Sequence, residues 1–156
     1  MNSRDRIIDE LTRALEADPW HGPAIDEVLA GVDAAEAAAH PIAGAHSIWE
    51  LVHHVTAWVR AIHMRVKGSV CELEGEADWP PVREPSDKAW TAAVADLHHA
   101  QADLVTTLRK LADADLNTTT PNREYDLEHL LRGLTQHHAY HAGQMAIVKN
   151  AGRQRT

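Results

Sequence analysis

HSIWELVHHVTAWVRAIHMRV, residues 46–66, is the stretch that decides the fold of this chain. Ser47 and Glu50 have the spacing of a capping box, in which each side chain binds the backbone N–H of the other residue at the start of a helix. Apolar residues then recur every three or four positions from Ile48 to Val66, which indicates one buried helical face. Gly68 is a suitable terminator. The stretch therefore predicts an amphipathic helix over residues 46–67.

Three other segments carry the same periodicity and predict helices over residues 4–17, 86–112 and 126–150. Ser86 and Asp126 are the expected N-caps of the last two. The connector after the first helix predicts two short helical pieces, near residues 25–29 and 34–39. No segment alternates as a strand does, and no internal repeat is present. The prediction is an all-α fold, a four-helix bundle, forming a single domain over residues 1–156.

Composition narrows the classes of partner. The chain has 156 residues, 23 acidic and 15 basic, for a net charge of −8, which argues against a nucleic-acid partner. It contains no apolar run of transmembrane length and no signal-peptide pattern, so we expect no membrane partner and a cytoplasmic location. Cys71 is the only cysteine, so an intrachain disulfide is impossible.

The unusual feature of the composition is twelve histidines. In the last predicted helix His137 and His141 are four residues apart, on one face, so two imidazoles could reach one metal ion. They occupy core-facing positions, where the alternative is a pair of buried histidines satisfied by hydrogen bonds. His138 also points inward, so His138 with His141 is a competing pair. Spacing leaves these readings open.

The helix over residues 46–67 carries the adjacent pair His53 and His54. At ~100° per residue, His54 lies roughly 115° from the centre of the apolar arc and His53 roughly 145° away on the other side. His54 is therefore the better candidate for an inward-facing ligand. Its position is also compatible with an ordinary histidine at the boundary between core and solvent.

The runs HSIWELVHHVTAW, residues 46–58, and GLTQHHAYHAGQ, residues 133–144, resemble the two signature helices of the DinB/YfiT-like superfamily. The resemblance extends to the order of the elements and to Asp78-Trp79-Pro80 in the long loop. It implies a four-helix bundle with a crossover connection, which the loop over residues 68–85 is long enough to supply. It also implies a bacterial metal-dependent enzyme.

In that family one histidine ligand comes from the second helix and two come from the last helix. The matching positions here are His54, His137 and His141, which would exclude His53 and His138. Three histidines leave a position open for water or substrate and suit zinc or nickel, with iron a further option. The resemblance implies a thiol S-transferase-like or hydrolytic reaction on a small-molecule substrate. It also favours a homodimer.

Two other functions remain compatible with the sequence. One is a stress-response protein that binds a metal ion or a small ligand without turnover, and the other is a structural bundle with buried histidines. Several further residues admit a role at a site. Capping explains Glu50 better. The residues Trp49, Trp58 and Trp90 could line a pocket and the Asp78-Trp79-Pro80 segment could cover the site, but packing is the favoured role of both groups. Tyr140 and Gln144 neighbour His141 and could support it or line the pocket, and ordinary packing is at least as compatible with their positions.

Overall fold

The computed structural model describes residues 1–154. Within these residues the chain forms six α-helices and two short 3₁₀ turns, and no strand beyond a single bridge between Thr119 and Asp126. The helices are α1 (Ser3–Leu15), α2 (Ile25–Leu29), α3 (Ala34–Ala38), α4 (Ile48–Val66), α5 (Asp87–Leu108) and α6 (Leu127–Arg153), and the 3₁₀ turns are Gly75–Ala77 and Asp113–Asn117. The all-α prediction and the two short helical pieces are confirmed.

The helix starts follow from side-chain capping. At α4 the Glu50 N–H donates to Ser47 Oγ at 3.2 Å, and the Ser47 N–H donates to Glu50 Oε2 at 2.8 Å, which completes the expected capping box. Ser86 Oγ and Asp126 Oδ1 cap α5 and α6 by accepting a hydrogen bond from the N–H of Ala89 and of His129, without the reciprocal bond of a capping box. Each cap satisfies backbone donors that have no partner inside the helix.

The predicted helix ends were less accurate. α1 stops at Leu15 instead of residue 17, because Asp18, which precedes Pro19, adopts a left-handed φ of 59°. α5 ends at Leu108 instead of residue 112, where the Leu111 N–H bonds three residues back and tightens the last turn. α6 runs to Arg153, three residues beyond the prediction, because nothing before that point interrupts its hydrogen bonds.

The long helices share one apolar core. α4 packs against both α5 and α6, and α1 packs against α6. Fully buried side chains from all four meet there, among them Leu11, Val55, Leu104 and Leu131. Gln101 interrupts the apolar stripe of α5, and its Nε2 donates to the backbone oxygen of Leu11 at 3.0 Å. This core holds α4 and α6 side by side, which positions the histidines that they carry. Among the described residues, no helix is long and apolar enough to cross a membrane.

Candidate metal centre

His54, from α4, and His137 and His141, from α6, converge where these two helices face each other. Each offers one ring nitrogen, and the three nitrogens lie within 4.8 Å of one another. The Nε2 atom of His137 is 3.2 Å from Nε2 of His54 and 3.1 Å from Nε2 of His141. The structure thus brings together the three histidines that the family resemblance selected, as a group that could hold a metal ion.

Hydrogen bonds on the outer ring nitrogens decide which nitrogen of two histidines is free to coordinate. His54 Nδ1 donates to the backbone oxygen of Asp78 at 2.8 Å, and His141 Nδ1 donates to Gln144 Oε1 at 2.6 Å. Because Nδ1 carries the proton in both rings, each neutral ring turns the lone pair of Nε2 toward His137. A metal ion would satisfy both lone pairs at once, whereas a proton on His137 Nε2 could serve only one of them.

The distances between the nitrogens also suit a metal. Two ligands at about 2.0–2.1 Å from a tetrahedral ion are about 3.3 Å apart, close to the two distances observed. His137 Nδ1 departs from the usual pattern, since it is buried and makes no hydrogen bond to residues 1–154. The donor set therefore fits a three-histidine metal centre. Within the described residues, His54 and His141 have a hydrogen-bond partner on the ring nitrogen that faces away from the cluster, and His137 does not.

Burial keeps these imidazoles neutral, as coordination requires. It lowers the pKa of His137 to about 3, with a further contribution from the neighbouring His141 and His54. It also lowers the pKa of His141 to about 4, which the hydrogen bond to Gln144 partly opposes. The pKa of His54 is lowered by burial as well, against the opposing effect of Asp78. At neutral pH all three rings are therefore free of a competing proton.

The Asp78-Trp79-Pro80 segment does more than pack against the helices. The Trp79 ring stacks on His54, with centroids 3.8 Å apart, and on His46 at 3.7 Å, so that it lies between the two imidazoles. The Asp78 carboxylate accepts a hydrogen bond from Trp58 Nε1 at 2.8 Å and lies 3.1 Å from His54 Nδ1. The segment therefore fixes both the orientation and the tautomer of His54.

The competing histidines have other partners. His53 Nδ1 lies 3.0 Å from the backbone oxygen of Pro80, and its Nε2 accepts a hydrogen bond from Trp49 Nε1. His138 is fully buried, and its Nδ1 donates to the backbone oxygen of Leu134 at 2.9 Å. Both lie outside the cluster that could hold a metal ion in the described part of the chain.

A cavity of about 260 Å³ adjoins the cluster between α4 and α6. Its wall includes His137, which belongs to the cluster, and Trp58, which is only half-buried. Trp49 and Trp90, by contrast, pack in the core, with ring centroids 5.2 Å apart. Packing was therefore the correct expectation for Trp49 and Trp90, whereas Trp58 lines the cavity.

Comparison with known proteins agrees with this arrangement. The family model described as the DinB superfamily matches residues 4–145, which is most of the chain. The chain belongs to the DinB superfamily. No curated protein and no solved structure matches it. Membership supports a helical protein whose three-histidine cluster could bind metal, and it leaves the reaction open.

Two residues contact the cluster although the sequence did not assign them to it. The sequence predicts packing for the Asp-Trp-Pro run, whereas both the backbone oxygen and the carboxylate of Asp78 lie close to His54 Nδ1; an acidic residue in such a run is a signal for a partner of a histidine ligand. Gln144 lies three residues after His141, on the same helical face, and this spacing was a usable signal for a hydrogen bond to the ring.

Proposed function

We propose that His54, His137 and His141 of this DinB-superfamily protein hold one divalent transition metal ion and that the protein is a metal-dependent enzyme. The proposed reaction is transfer of a low-molecular-weight thiol onto a small-molecule substrate, or hydrolysis. The observation that carries the proposal is the convergence of the three Nε2 atoms beside a cavity whose wall includes His137.

A metal ion held there would polarise a bound group or lower the pKa of a bound water or thiol. The surrounding residues have supporting roles. Asp78 and Gln144 hold two ligand rings in the tautomer that presents Nε2. Trp79 covers one face of His54 and restricts the access of water from that side. The cavity beside His137 is the proposed position of the substrate.

The proposal extends to the whole chain. The four long helices would form one DinB-like four-helix-bundle domain, with the segment between α4 and α5 as its crossover connection. The length of that segment and the packing of α4 against both α5 and α6 support this arrangement.

We further propose zinc or nickel as the metal, with iron as a further option, a homodimer, and a cytoplasmic location. Sedimentation at micromolar concentration that gives only the 17.2 kDa species would refute the dimer.

The ligand assignment is tested by metal stoichiometry. His54, His137 and His141 are each replaced by alanine, and His53→Ala and His138→Ala are the matched controls from the same helices. After loading and exhaustive dialysis, the first three variants should be depleted of metal and the controls should retain it, because neither control side chain belongs to the cluster. Retention by a triad variant together with loss by a control would refute the assignment.

Turnover is tested separately on protein loaded with zinc, nickel or iron. Small thiols are offered together with electrophilic acceptors, and simple esters and amides are offered as hydrolysis substrates. Activity that requires the metal and disappears in His137→Ala supports an enzyme. Full metal occupancy without turnover across the panel would favour the second candidate, a non-catalytic metal- or ligand-binding protein of the stress response.

A further inference from the structure

The cavity between α4 and α6 combines apolar walls with two arginines. Trp58, Ile62, Leu130 and Leu134 supply apolar surface, and Arg65 and Arg123 supply guanidinium groups. Its volume of about 260 Å³ lies just below the ~300–1,000 Å³ that is typical of ligand pockets, which limits it to a small ligand. A cavity of this kind suits a small molecule with an apolar body and one charged group.

Arg65 is an unusual residue to find in such a wall, because its side chain is only 3% exposed. Its Nε and Nη2 donate to the backbone oxygen of Cys71 at 2.9 and 2.6 Å, and its guanidinium lies 5.5 Å from the Trp58 ring centroid. The carboxylate that pairs with it is Glu72, at 3.5 Å. A buried cation is costly unless an anion compensates it, and this ion pair is a long one.

Glu72 is also shared. The same Oε2 atom accepts a hydrogen bond from Arg123 Nη2 at 2.5 Å, so one carboxylate serves two guanidinium groups. Glu72 is 44% exposed, whereas Arg65 is buried, so the negative charge is better solvated than the positive one beside the cavity. The other polar groups of the wall are Tyr125, His129 and His137, none of which is acidic. The wall therefore has a surplus of positive charge.

We infer that this cavity binds the carboxylate of a small, largely apolar substrate, and that Arg65 and Arg123 recognise it. Guanidinium groups bind carboxylates through strong, charge-assisted hydrogen bonds. Since Nε and Nη2 of Arg65 already donate to Cys71, Nη1 of Arg65 and the guanidinium of Arg123 would supply these bonds. The assignment of the bound molecule as substrate rests on the proposed function, since His137 would then lie beside both the metal and the ligand. Carboxylate binding itself does not depend on the metal.

Glu72 should then compete with the ligand. An incoming carboxylate must approach the two arginines that Glu72 already neutralises in part, and it is repelled by that charge. Removal of the charge in Glu72→Gln should strengthen ligand binding. If the two arginines served only to hold the loop that contains Cys71, Glu72→Gln would not be expected to strengthen ligand binding.

The test measures binding of 3-phenylpropionate to the metal-free protein by isothermal titration calorimetry, with the uncharged 3-phenylpropanamide as the matched ligand. We expect the acid to bind at least about tenfold more tightly than the amide, because hydrogen bonds to a charged group are stronger than those between neutral groups. Arg123→Gln should weaken binding of the acid about tenfold and leave the amide unchanged, and Glu72→Gln should tighten binding of the acid. Arg123 is chosen over the buried Arg65 because it is 27% exposed and lies in a loop.

Arg83→Gln is the control variant, because Arg83 is exposed and pairs with Glu76 away from the cavity. It should bind both ligands as the unaltered protein does. Equal affinity for acid and amide, or an Arg123→Gln variant that binds the acid normally, would overturn the inference. The measurement uses metal-free protein, so its failure would leave the metal proposal intact, and failure of metal binding would not affect this result.

Discussion

The hydrogen bond between His141 and Gln144 offers a sharp test of the proposed metal centre, because it orients a proposed ligand and does not itself involve the metal. His141 Nδ1 donates to Gln144 Oε1 at 2.6 Å, which leaves Nε2 unprotonated and turned toward His137. In Gln144→Leu the ring loses this acceptor and can adopt the other tautomer, with a proton on Nε2. That tautomer has no lone pair on Nε2, so it cannot bind a metal ion through the atom that faces the other two histidines.

The size of the effect follows from the burial of the two residues. Loss of an outer partner of a metal-bound histidine typically costs 10–100-fold in metal affinity. His141 is only 4% exposed, but Gln144 is half-buried, so water can replace part of the lost hydrogen bond. We therefore expect the lower end of that range, a loss of about tenfold in zinc affinity, which equals about 1.4 kcal/mol.

Competition with a chromogenic chelator of known affinity measures the zinc dissociation constant. Gln144→Glu keeps an acceptor at the same position and should stay within about threefold of the unaltered protein. Gln136→Leu is the matched control, because Gln136 is an exposed residue of the same helix. If Gln144→Leu binds zinc normally, or if Gln144→Glu loses as much affinity as Gln144→Leu, the proposed role of this hydrogen bond is wrong.

Three further predictions concern stability and are measured by urea denaturation of the metal-free protein. Burial lowers the pKa of the fully buried His138 to about 4, below the ~6.5 of the unfolded chain, so the unfolded state binds more protons between these values. The free energy of unfolding should therefore be highest above pH 6.5 and should fall by about 3 kcal/mol, through this histidine, as the pH is lowered toward 4. An equally steep pH dependence in His138→Leu would contradict this. Leu131→Ala should cost about 3 kcal/mol, because Leu131 is fully buried between packed helices, and a loss below about 1 kcal/mol would show that the site collapses or is not packed. Ser47→Ala removes the N-cap of α4 and should cost about 1 kcal/mol, whereas an unchanged midpoint would mean that the capping box contributes nothing.

The sequence by itself determined the helical elements and their starts. Periodicity and capping are local properties, so Ser47 with Glu50 and Asp126 were enough to locate the starts of α4 and α6. The helix ends were less certain, because they depend on how the last turn tightens, as after Leu108. Local pattern also restricted the candidate ligands to two adjacent pairs, His53 with His54 and His137 with His138, besides His141.

The family resemblance selected His54, His137 and His141 among those candidates, and only the tertiary structure shows that these three lie together. The two histidines of each pair are adjacent in the helix, and both positions are compatible with a buried or boundary side chain. Which of them can be a ligand therefore depends on which residues of the neighbouring helix it faces. The packing of α4 against α6 brings His54 to His137, and the loop that carries Asp78 and Trp79 returns to hold the His54 ring. The sequence likewise carried no sign that two arginines would lie together in the wall of one cavity. Arg65 and Arg123 are 58 positions apart in the sequence. They share Glu72 only because the loop after α4 meets the loop before α6, and a local sequence pattern carries no information on such a contact.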